Sequence, residues 1–238
     1  MNSPKIARYG RTLGLVPDRL PLFPLGLVLL PGLLLPLHVF EERYRLLVRE
    51  LLERPEEQRR FGVVTIRQGR EVGADGVTAL HEVGCVAQLR RVETYEDGRF
   101  DLLTTGADRF RLEGLEQDRP YLTGLIEWLP DELGPAQEAA LLDRAVRTAF
   151  LDYLAALGEA GGEQLESPDL PDSSLVLGYL VAATVQVDLE DRQRLLAEPD
   201  GTARLRAELA LLRREARLLR ALTAMPAPEL ARSPVNLN

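Results

Sequence analysis

Residues 20–45 read Leu-Pro-Leu-Phe-Pro-Leu-Gly-Leu-Val-Leu-Leu-Pro-Gly-Leu-Leu-Leu-Pro-Leu-His-Val-Phe-Glu-Glu-Arg-Tyr-Arg. The apolar part of this stretch, residues 22–40, is about as long as a membrane span. Pro24, Pro31 and Pro36 interrupt it. Each would cost about 3 kcal/mol inside a helix, because proline lacks the amide donor and clashes with the preceding turn. The stretch therefore predicts short buried strands joined by proline turns.

The residues around this stretch argue against a targeting segment. The amino terminus before it contains Lys5, Arg8 and Arg11, but no small-residue cleavage pattern follows, and the chain continues directly into Glu41 and Glu42. We expect neither an anchor nor a signal peptide, and no membrane partner. Cys85 is the single cysteine, so no intrachain disulfide can form, and the cytoplasm is the expected location.

Downstream of residue 40 the hydrophobic pattern first becomes helical and then alternates. Residues 40–52 carry apolar side chains at helical spacing and predict an amphipathic helix that ends near Pro55. Residues 85–95 and 100–104 flank Asp97-Gly98, a pair suited to the positive φ angles of a tight turn, and predict a hairpin. Alternation or β-branched content predicts further strands at residues 61–66, 109–115 and 121–128. Such strands form a small barrel or a folded-over sheet.

Beyond Pro130 the pattern is helical throughout. A helix over residues 136–157 is expected to stop at Gly158, Gly161 and Gly162, and the next helix begins with Ser173 or Ser174 as its N-cap. Further helices are predicted at residues 189–196 and 202–222. We expect flexible tails at 1–19 and 226–238, a β-rich subdomain at 20–130 and a helical bundle at 135–225.

Composition excludes several classes of enzyme. Lys5 is the only lysine, so the chain has neither the Gly-Lys pair of a Walker loop nor a credible serine-lysine dyad, and no Gly-x-Gly-x-x-Gly occurs. His38 and His81 do not stand in a metal-binding spacing. We expect hydrogen-bonded histidines, a buried Cys85, no cofactor and no metal. A catalytic carboxylate pair remains an open alternative, because no spacing singles one out.

Several motifs occur in an ordered series. They are the proline-rich stretch with Leu35-Pro-Leu-His-Val-Phe-Glu-Glu-Arg-Tyr-Arg, Phe61-Gly-Val-Val, Val83-Gly-Cys-Val-Ala, Asp97-Gly-Arg-Phe, Arg109-Phe-Arg, Pro120-Tyr, Asp191-Arg-Gln-Arg-Leu-Leu and Leu211-Leu-Arg-Arg-Glu. The series resembles the amino-terminal domain of Lon-type ATP-dependent proteases over about residues 20–220.

The resemblance implies an α+β fold, with an amino-terminal β pseudo-barrel of the PUA type containing one helix, followed by a carboxy-terminal α-helical bundle. It also implies recognition of unfolded or tail-bearing polypeptides. Because the chain lacks the lysines of an ATPase and of a serine-lysine peptidase, we expect a non-catalytic binding module. A protease or a chaperone is the expected partner, and we expect no enzyme activity.

The family-motif residues are candidate binding residues, although proline turns and a helix start are what such a fold needs there. They are Pro36, His38, Glu41, Arg43, Tyr44, Arg109 and Phe110. Glu41 and Arg43 are expected to pair and fix the turn. A peptide could bind by main-chain pairing at a strand edge or in an apolar groove between the two parts.

The last helix suggests an RNA-binding alternative. It carries six arginines against two glutamates, a net charge of +4, in a chain whose net charge is −8. Arg213, Arg214, Arg217 and Arg220 are its candidate contacts to RNA or to an acidic partner. A solvated helical face explains the same charges. The apolar stripe of this helix fits either packing within the bundle or a homo-oligomer.

Overall fold

A computed structural model describes residues 17–69, 77–162 and 168–224. The described residues form seven strands, which are β1 (Asp18–Leu25), β2 (Leu34–Val39), β3 (Arg60–Gly69), β4 (Val77–Leu80), β5 (Val83–Thr94), β6 (Phe100–Glu116) and β7 (Thr123–Leu129). They also form five α-helices, α1 (Glu42–Leu52), α2 (Ala136–Gly161), α3 (Ser174–Thr184), α4 (Leu189–Ala197) and α5 (Gly201–Ala224). Tails are predicted at 1–19 and 226–238, and residues 1–16 and 226–238 lie outside the described residues. Asp18 and Arg19 of the first predicted tail belong to β1.

Five of the strands close into a barrel. Neighbouring strands follow the order β1-β7-β6-β5-β3, and β3 returns to β1 through a parallel pairing that joins Leu22 to Gly62 and Leu25 to Thr65. The other pairings around the barrel are antiparallel. The proline-interrupted stretch forms β1 and β2, which confirms its prediction as strands. The prediction that the strands are buried is wrong for β2, whose Leu34, Pro36 and His38 are exposed. Pro31 lies in the turn between the strands, whereas Pro24 and Pro36 lie inside them.

The barrel interior is filled by apolar side chains around Phe110, which is fully buried. Its ring lies close to the backbone of the neighbouring strands β5 and β3, because a Cβ added at Gly84 would lie 2.5 Å from its Cζ atom and one at Gly62 would lie 2.7 Å from it. The side chains packed with Phe110 are Leu20, Leu22, Val64, Val86 and Ile126. Cys85 is also fully buried, as predicted.

Helix α1 packs one face against the strands. Tyr44, Leu47, Val48 and Leu51 are buried, which confirms the predicted amphipathic pattern. The Tyr44 ring stacks on Phe23 of β1, with ring centroids 4.0 Å apart. The helical spacing of the sequence predicts Phe40 on the apolar face of this helix. That placement is wrong, because the helix begins two residues later and Phe40 is half exposed.

Two strand predictions also differ from the structure. Residues 100–104 and 109–115 were expected as separate strands, but they belong to one 17-residue strand, β6. The strand remains continuous because both of its parts have a partner strand. Residues 100–105 pair with β2, and residues 109–116 pair with β7. Strand β4 was not predicted, since its four residues are too short to show a period.

The helical region forms its own core. Helices α2, α3 and α5 supply most of its buried side chains, including Phe150, Tyr153, Leu177 and Leu212. Ser173 caps α3 and Asp188 caps α4 through their side chains. Helix α2 runs through Gly158 and ends at Gly161, where Gly162 adopts a left-handed conformation. Gly158 therefore does not end the helix, contrary to prediction.

The chain divides into two compact units. The first unit contains the described residues up to Leu29 and those of residues 34–129. The second unit contains Leu30–Leu33 and the described residues from Pro130 onwards. The α+β class, with an amino-terminal barrel that contains one helix and a carboxy-terminal helical bundle, is confirmed. Within the described residues, no helix is both long and apolar enough to cross a membrane.

Candidate functional site

Strand β2 and the two strands beside it form the surface of interest. We call residues 34–39 of β2, 100–105 of β6 and 89–94 of β5 the three-strand region. Strand β2 pairs antiparallel with β6 from Leu34 opposite Thr105 to Val39 opposite Phe100. Within the described residues β2 pairs with no other strand, and residues 90–94 of β5 pair only with β6. Both edges of this region are therefore open.

The outward face of β2 is apolar for much of its length. Side chains alternate along a strand, so Leu34, Pro36 and His38 share one face, and all three are exposed. Pro36 lies opposite the half-buried Leu103 of β6. Leu34 is 65% exposed, and Phe40 directly after the strand is 50% exposed. An apolar row in contact with water is typical of a surface that binds a partner.

A hydrogen-bonded cluster borders this row at the hairpin end. His38 Nδ1 lies 2.6 Å from Asp101 Oδ1, and the hydroxyl of Tyr95 donates to Asp101 Oδ2 at 2.6 Å. The His38 ring lies 6.2 Å from the ring of Phe40 and 6.3 Å from that of Tyr95. Hydrogen bonds from Tyr95 and His38 lower the pKa of Asp101, while the bond to Asp101 raises the pKa of Tyr95. The hydrogen bond expected for His38 is present.

Arg99 completes the cluster beside the turn. Its Nε donates to Asp97 Oδ2 at 2.7 Å, and its guanidinium lies 5.8 Å from the centre of the Tyr95 ring. We call Leu34, Pro36, His38, Phe40, Tyr95 and Leu103 the apolar-aromatic surface. It offers apolar side chains flanked by hydrogen-bonding groups, which suits binding of a peptide chain better than a reaction in an enclosed cleft.

The other family-motif residues hold the fold. Arg43 pairs with Glu41 at 2.9 Å, as predicted, and its guanidinium lies 4.6 Å from the centre of the Tyr44 ring. Tyr44, Arg109 and Phe110 are buried, with 4%, 1% and 0% of their surface exposed. Of the seven motif candidates, the structure brings only Pro36 and His38 together on an open surface.

The arginines of α5 are largely engaged by neighbours. Arg214 forms ion pairs with Asp191 at 2.5 Å and Glu215 at 2.7 Å, and Arg220 pairs with Asp152. Arg204 is buried, with its guanidinium 4.1 Å from the centre of the Tyr179 ring. Arg213 and Arg217 are exposed, and no described carboxylate lies within 4 Å of their side chains. The positive charge available to an acidic partner is therefore smaller than the sequence suggests.

The candidate residues predicted from the sequence do not include the site residues Leu34, Phe40, Tyr95, Asp101 and Leu103. The predicted hairpin places Tyr95 and Asp101 on either side of one turn. From this pattern the sequence could have predicted that these two residues lie close together. Their meeting with His38 depends on the pairing of β2 with β6, across 63 residues of chain. Within the described residues, no group of three or more His, Cys, Asp or Glu side chains is placed to hold a metal ion.

Comparison with protein families gives one match over most of the chain. Residues 19–214 match the family described as the ATP-dependent protease La (LON) substrate-binding domain. Lon protease 2 of Myxococcus xanthus is 29% identical over 210 residues, which cover 86% of this chain and 24% of that protein. The Lon protease of Anaeromyxobacter dehalogenans is 30% identical with the same coverage of both chains. The chain thus spans about a quarter of the length of these relatives.

Solved structures show the same fold. The crystal structure of a Lon N-terminal domain protein from Xanthomonas campestris superimposes with a TM-score of 0.56 and 28% identity, covering 81% of this chain and 98% of that one. The N-terminal domain of the Mycobacterium avium complex Lon protease gives a TM-score of 0.60 at 15% identity, over 82% of this chain and 98% of that one. The second likeness concerns the fold alone.

Proposed function

This chain belongs to the family of Lon substrate-binding domains, and from that premise we propose that it is a non-catalytic module that binds unfolded or tail-bearing polypeptides through its apolar-aromatic surface. The observation that supports this proposal is an exposed apolar row, formed by Leu34 and Pro36 on β2 and by Phe40 directly after it. The outer edge of β2 pairs with no described strand. Family membership supports substrate binding, and the surface supplies a physical means for it.

Burial of apolar side chains supplies the affinity in this proposal. Fully burying a leucine or phenylalanine side chain contributes about 1.5–3 kcal/mol, and Leu34 and Phe40 expose half or more of theirs. His38, Tyr95 and Asp101 can exchange hydrogen bonds with the main chain of a bound segment at the rim. Such a surface tolerates many sequences, because apolar contact is not directional.

The proposal assigns binding and not cleavage to this chain. Walker-type ATP hydrolysis and serine-lysine peptidase chemistry each need a placed lysine, and the single lysine is Lys5. A protease or a chaperone in the cytoplasm would receive the bound polypeptide. Organisation into a β-rich subdomain at 20–130 and a helical bundle at 135–225 is part of the proposal.

Binding of a fluorescein-labelled, chemically unfolded casein tests this function by fluorescence anisotropy. The double variant Leu34→Ser/Phe40→Ser should weaken binding about tenfold, since a loss of ~1.4 kcal/mol corresponds to tenfold in Kd. Leu141→Ser is the matched control, because Leu141 on α2 is 69% exposed and lies outside the surface. Equal affinity of the double variant and the wild type, with both folded, would refute the proposed surface.

A further inference from the structure

A groove of about 340 Å³ lies beside the open edge of β5. One wall is formed by the end of α1 and the short 3-10 helix that follows it, and the other by β5 itself. Its lining residues are Leu52, Glu56, Arg59, Leu89, Arg90, Arg91, Val92 and Thr94. The volume lies at the small end of the range for ligand pockets, so it suits a small group or the end of a chain.

A β-bulge places two consecutive arginines on the exposed face of β5. Leu89 pairs with Thr104 and Arg91 pairs with Leu103, so Arg90 is the extra residue between two pairs. In a regular strand, neighbouring side chains point to opposite faces, and one of the two arginines would turn inwards. The bulge instead leaves Arg90 and Arg91 both exposed.

A third guanidinium is held in place on the opposite wall. Arg59 Nε donates to the carbonyl oxygen of Arg54 at 2.9 Å, and its Nη2 donates to that of Leu52 at 3.2 Å. Arg59 is half-buried, so it loses little conformational freedom when it binds an anion. The backbone carbonyls orient its guanidinium without neutralising the charge.

No described carboxylate pairs with these arginines. Arg90 Nε donates to Thr105 Oγ1 at 3.2 Å, and no described carboxylate lies within 4 Å of Arg59, Arg90 or Arg91. Arg19 and Arg119 in the same unit each pair with a glutamate, at 2.7 and 2.6 Å. Among the described lining residues Glu56 is the one acidic residue against three arginines, so they give the groove a net positive charge.

We propose that this groove holds a carboxylate of the bound polypeptide, supplied by its carboxyl terminus or by an aspartate or glutamate side chain. This inference rests on the proposed function. Guanidinium groups bind carboxylates through paired, charge-assisted hydrogen bonds. The open edge of β5 beside the groove has main-chain donors and acceptors for the residues next to that carboxylate.

Four labelled peptides with one shared apolar segment test the inference by fluorescence anisotropy. The first ends in a free carboxylate without acidic side chains, and the second is its carboxy-terminal amide. The third is the amide with one internal aspartate, and the fourth carries asparagine at that position. The wild type should bind the first peptide about tenfold more tightly than the second, or the third about tenfold more tightly than the fourth. A difference in the first pair identifies the carboxyl terminus as the bound carboxylate, and a difference in the second pair identifies the acidic side chain.

The variants Arg91→Gln and Arg90→Gln/Arg91→Gln should abolish this preference and leave binding of the neutral peptides unchanged. Arg67→Gln removes the same charge from an exposed position of β3 outside the groove and should preserve the preference. Raising the salt concentration should reduce the preference, because it is electrostatic.

The outcomes separate this inference from the proposed function. Equal binding of charged and neutral peptides, weakened by Leu34→Ser/Phe40→Ser but not by Arg91→Gln, would refute the carboxylate site and leave the proposed function standing. Absence of binding to all four peptides by folded protein would refute both. Binding of a labelled single-stranded RNA that depends on Arg91, without any peptide preference, would assign the groove to phosphate instead.

Discussion

Glu208 is fully buried in the helical unit although it is an acidic residue. Its two carboxyl oxygens have no hydrogen-bond partner among the described residues. Burial raises its pKa well above 4.5, while the charge of Arg204 acts to lower it and that of Glu198 to raise it. The folded chain therefore holds this carboxyl in the protonated form to higher pH than the unfolded chain does.

Replacement of Glu208 by glutamine should stabilise the protein at neutral pH. With glutamate at this position, the free energy of unfolding is highest below about pH 4.5, where the carboxyl is protonated in both the folded and the unfolded chain. The free energy of unfolding falls as the pH rises from there towards the raised pKa, because the carboxyl ionises more readily in the unfolded chain. Glutamine cannot ionise, so Glu208→Gln should remove this slope. Urea unfolding of both proteins between pH 4 and pH 8 measures it, and parallel curves would show that Glu208 is not held protonated.

Gly84 allows β5 to approach the barrel core closely. A Cβ atom at this position would lie 2.5 Å from Phe110 Cζ and 2.6 Å from the carbonyl oxygen of Val63, and the backbone of β3 cannot yield easily. Gly84→Ala should therefore destabilise the protein by about 1–3 kcal/mol, as overpacking does. Gly161→Ala is the control, since nothing lies within 4 Å of its added Cβ. Chemical denaturation measures the free energy of unfolding of both variants. Equal values for Gly84→Ala and Gly161→Ala would contradict the close packing at Gly84.

Helix α1 is tied to the turn of the β5–β6 hairpin by one side chain. Arg45 Nε donates to the carbonyl oxygen of Gly98 at 2.7 Å, and its Nη2 donates to that of Asp97 at 3.0 Å. Gly98 has a φ of +79°, as predicted, whereas the φ of Asp97 is not positive, so the left-handed conformation predicted for the Asp-Gly pair is present at the glycine alone. The position of the turn, and with it that of Tyr95, therefore depends on a helix 50 residues earlier in the chain.

Replacement of Arg45 by methionine should loosen the hairpin while α1 stays folded. Hydrogen bonds to a charged group contribute about 1.5–3 kcal/mol, so amide exchange near Gly98 should accelerate roughly tenfold or more. Hydrogen exchange followed by mass spectrometry measures this. Arg49→Met on the same helix should leave the turn protected, because Arg49 pairs with Glu42 of α1, at 3.1 Å, and not with the hairpin. Equal protection in both variants would show that Arg45 does not hold the turn.

The charge of the whole molecule favours polypeptide binding over RNA binding. The chain has a net charge of −8, and ion pairs engage Arg206, Arg214 and Arg220 on its basic helix. Phosphate contacts lose affinity steeply as salt rises, whereas apolar burial does not. The molecule as a whole therefore favours a ligand held by apolar contact.

We expect unfolded casein to stay bound to the chain when sodium chloride is raised from 50 to about 500 mM, a range in which phosphate-mediated binding falls by orders of magnitude. Single-stranded RNA should bind weakly at 50 mM and not measurably at the higher concentration. Anisotropy titrations with both ligands measure this. Tight RNA binding that is lost in Arg213→Gln/Arg217→Gln would support the RNA alternative instead.

Local sequence patterns predicted most of the individual elements. Helical spacing located α1, α4 and α5 to within two residues, and Asp97-Gly98 located the hairpin turn, because each depends on neighbours only a few residues apart. The motif series from residue 20 onwards indicated the family. Boundaries that depend on distant partners were less accurate, as the continuous β6 and the undetected β4 show.

The binding surface arises from contacts between distant parts of the chain. The sequence shows the leucines and prolines of the apolar row. It does not show whether they are exposed, because a buried strand and an exposed strand can both have this composition. Pairing of β2 with β6 leaves Leu34 and Pro36 exposed and brings His38 to Asp101. The bulge at Arg90 likewise depends on register against β6. Short-range spacing decides which elements form, whereas exposure depends on long-range register, in which a shift of one residue exchanges the buried and the open face.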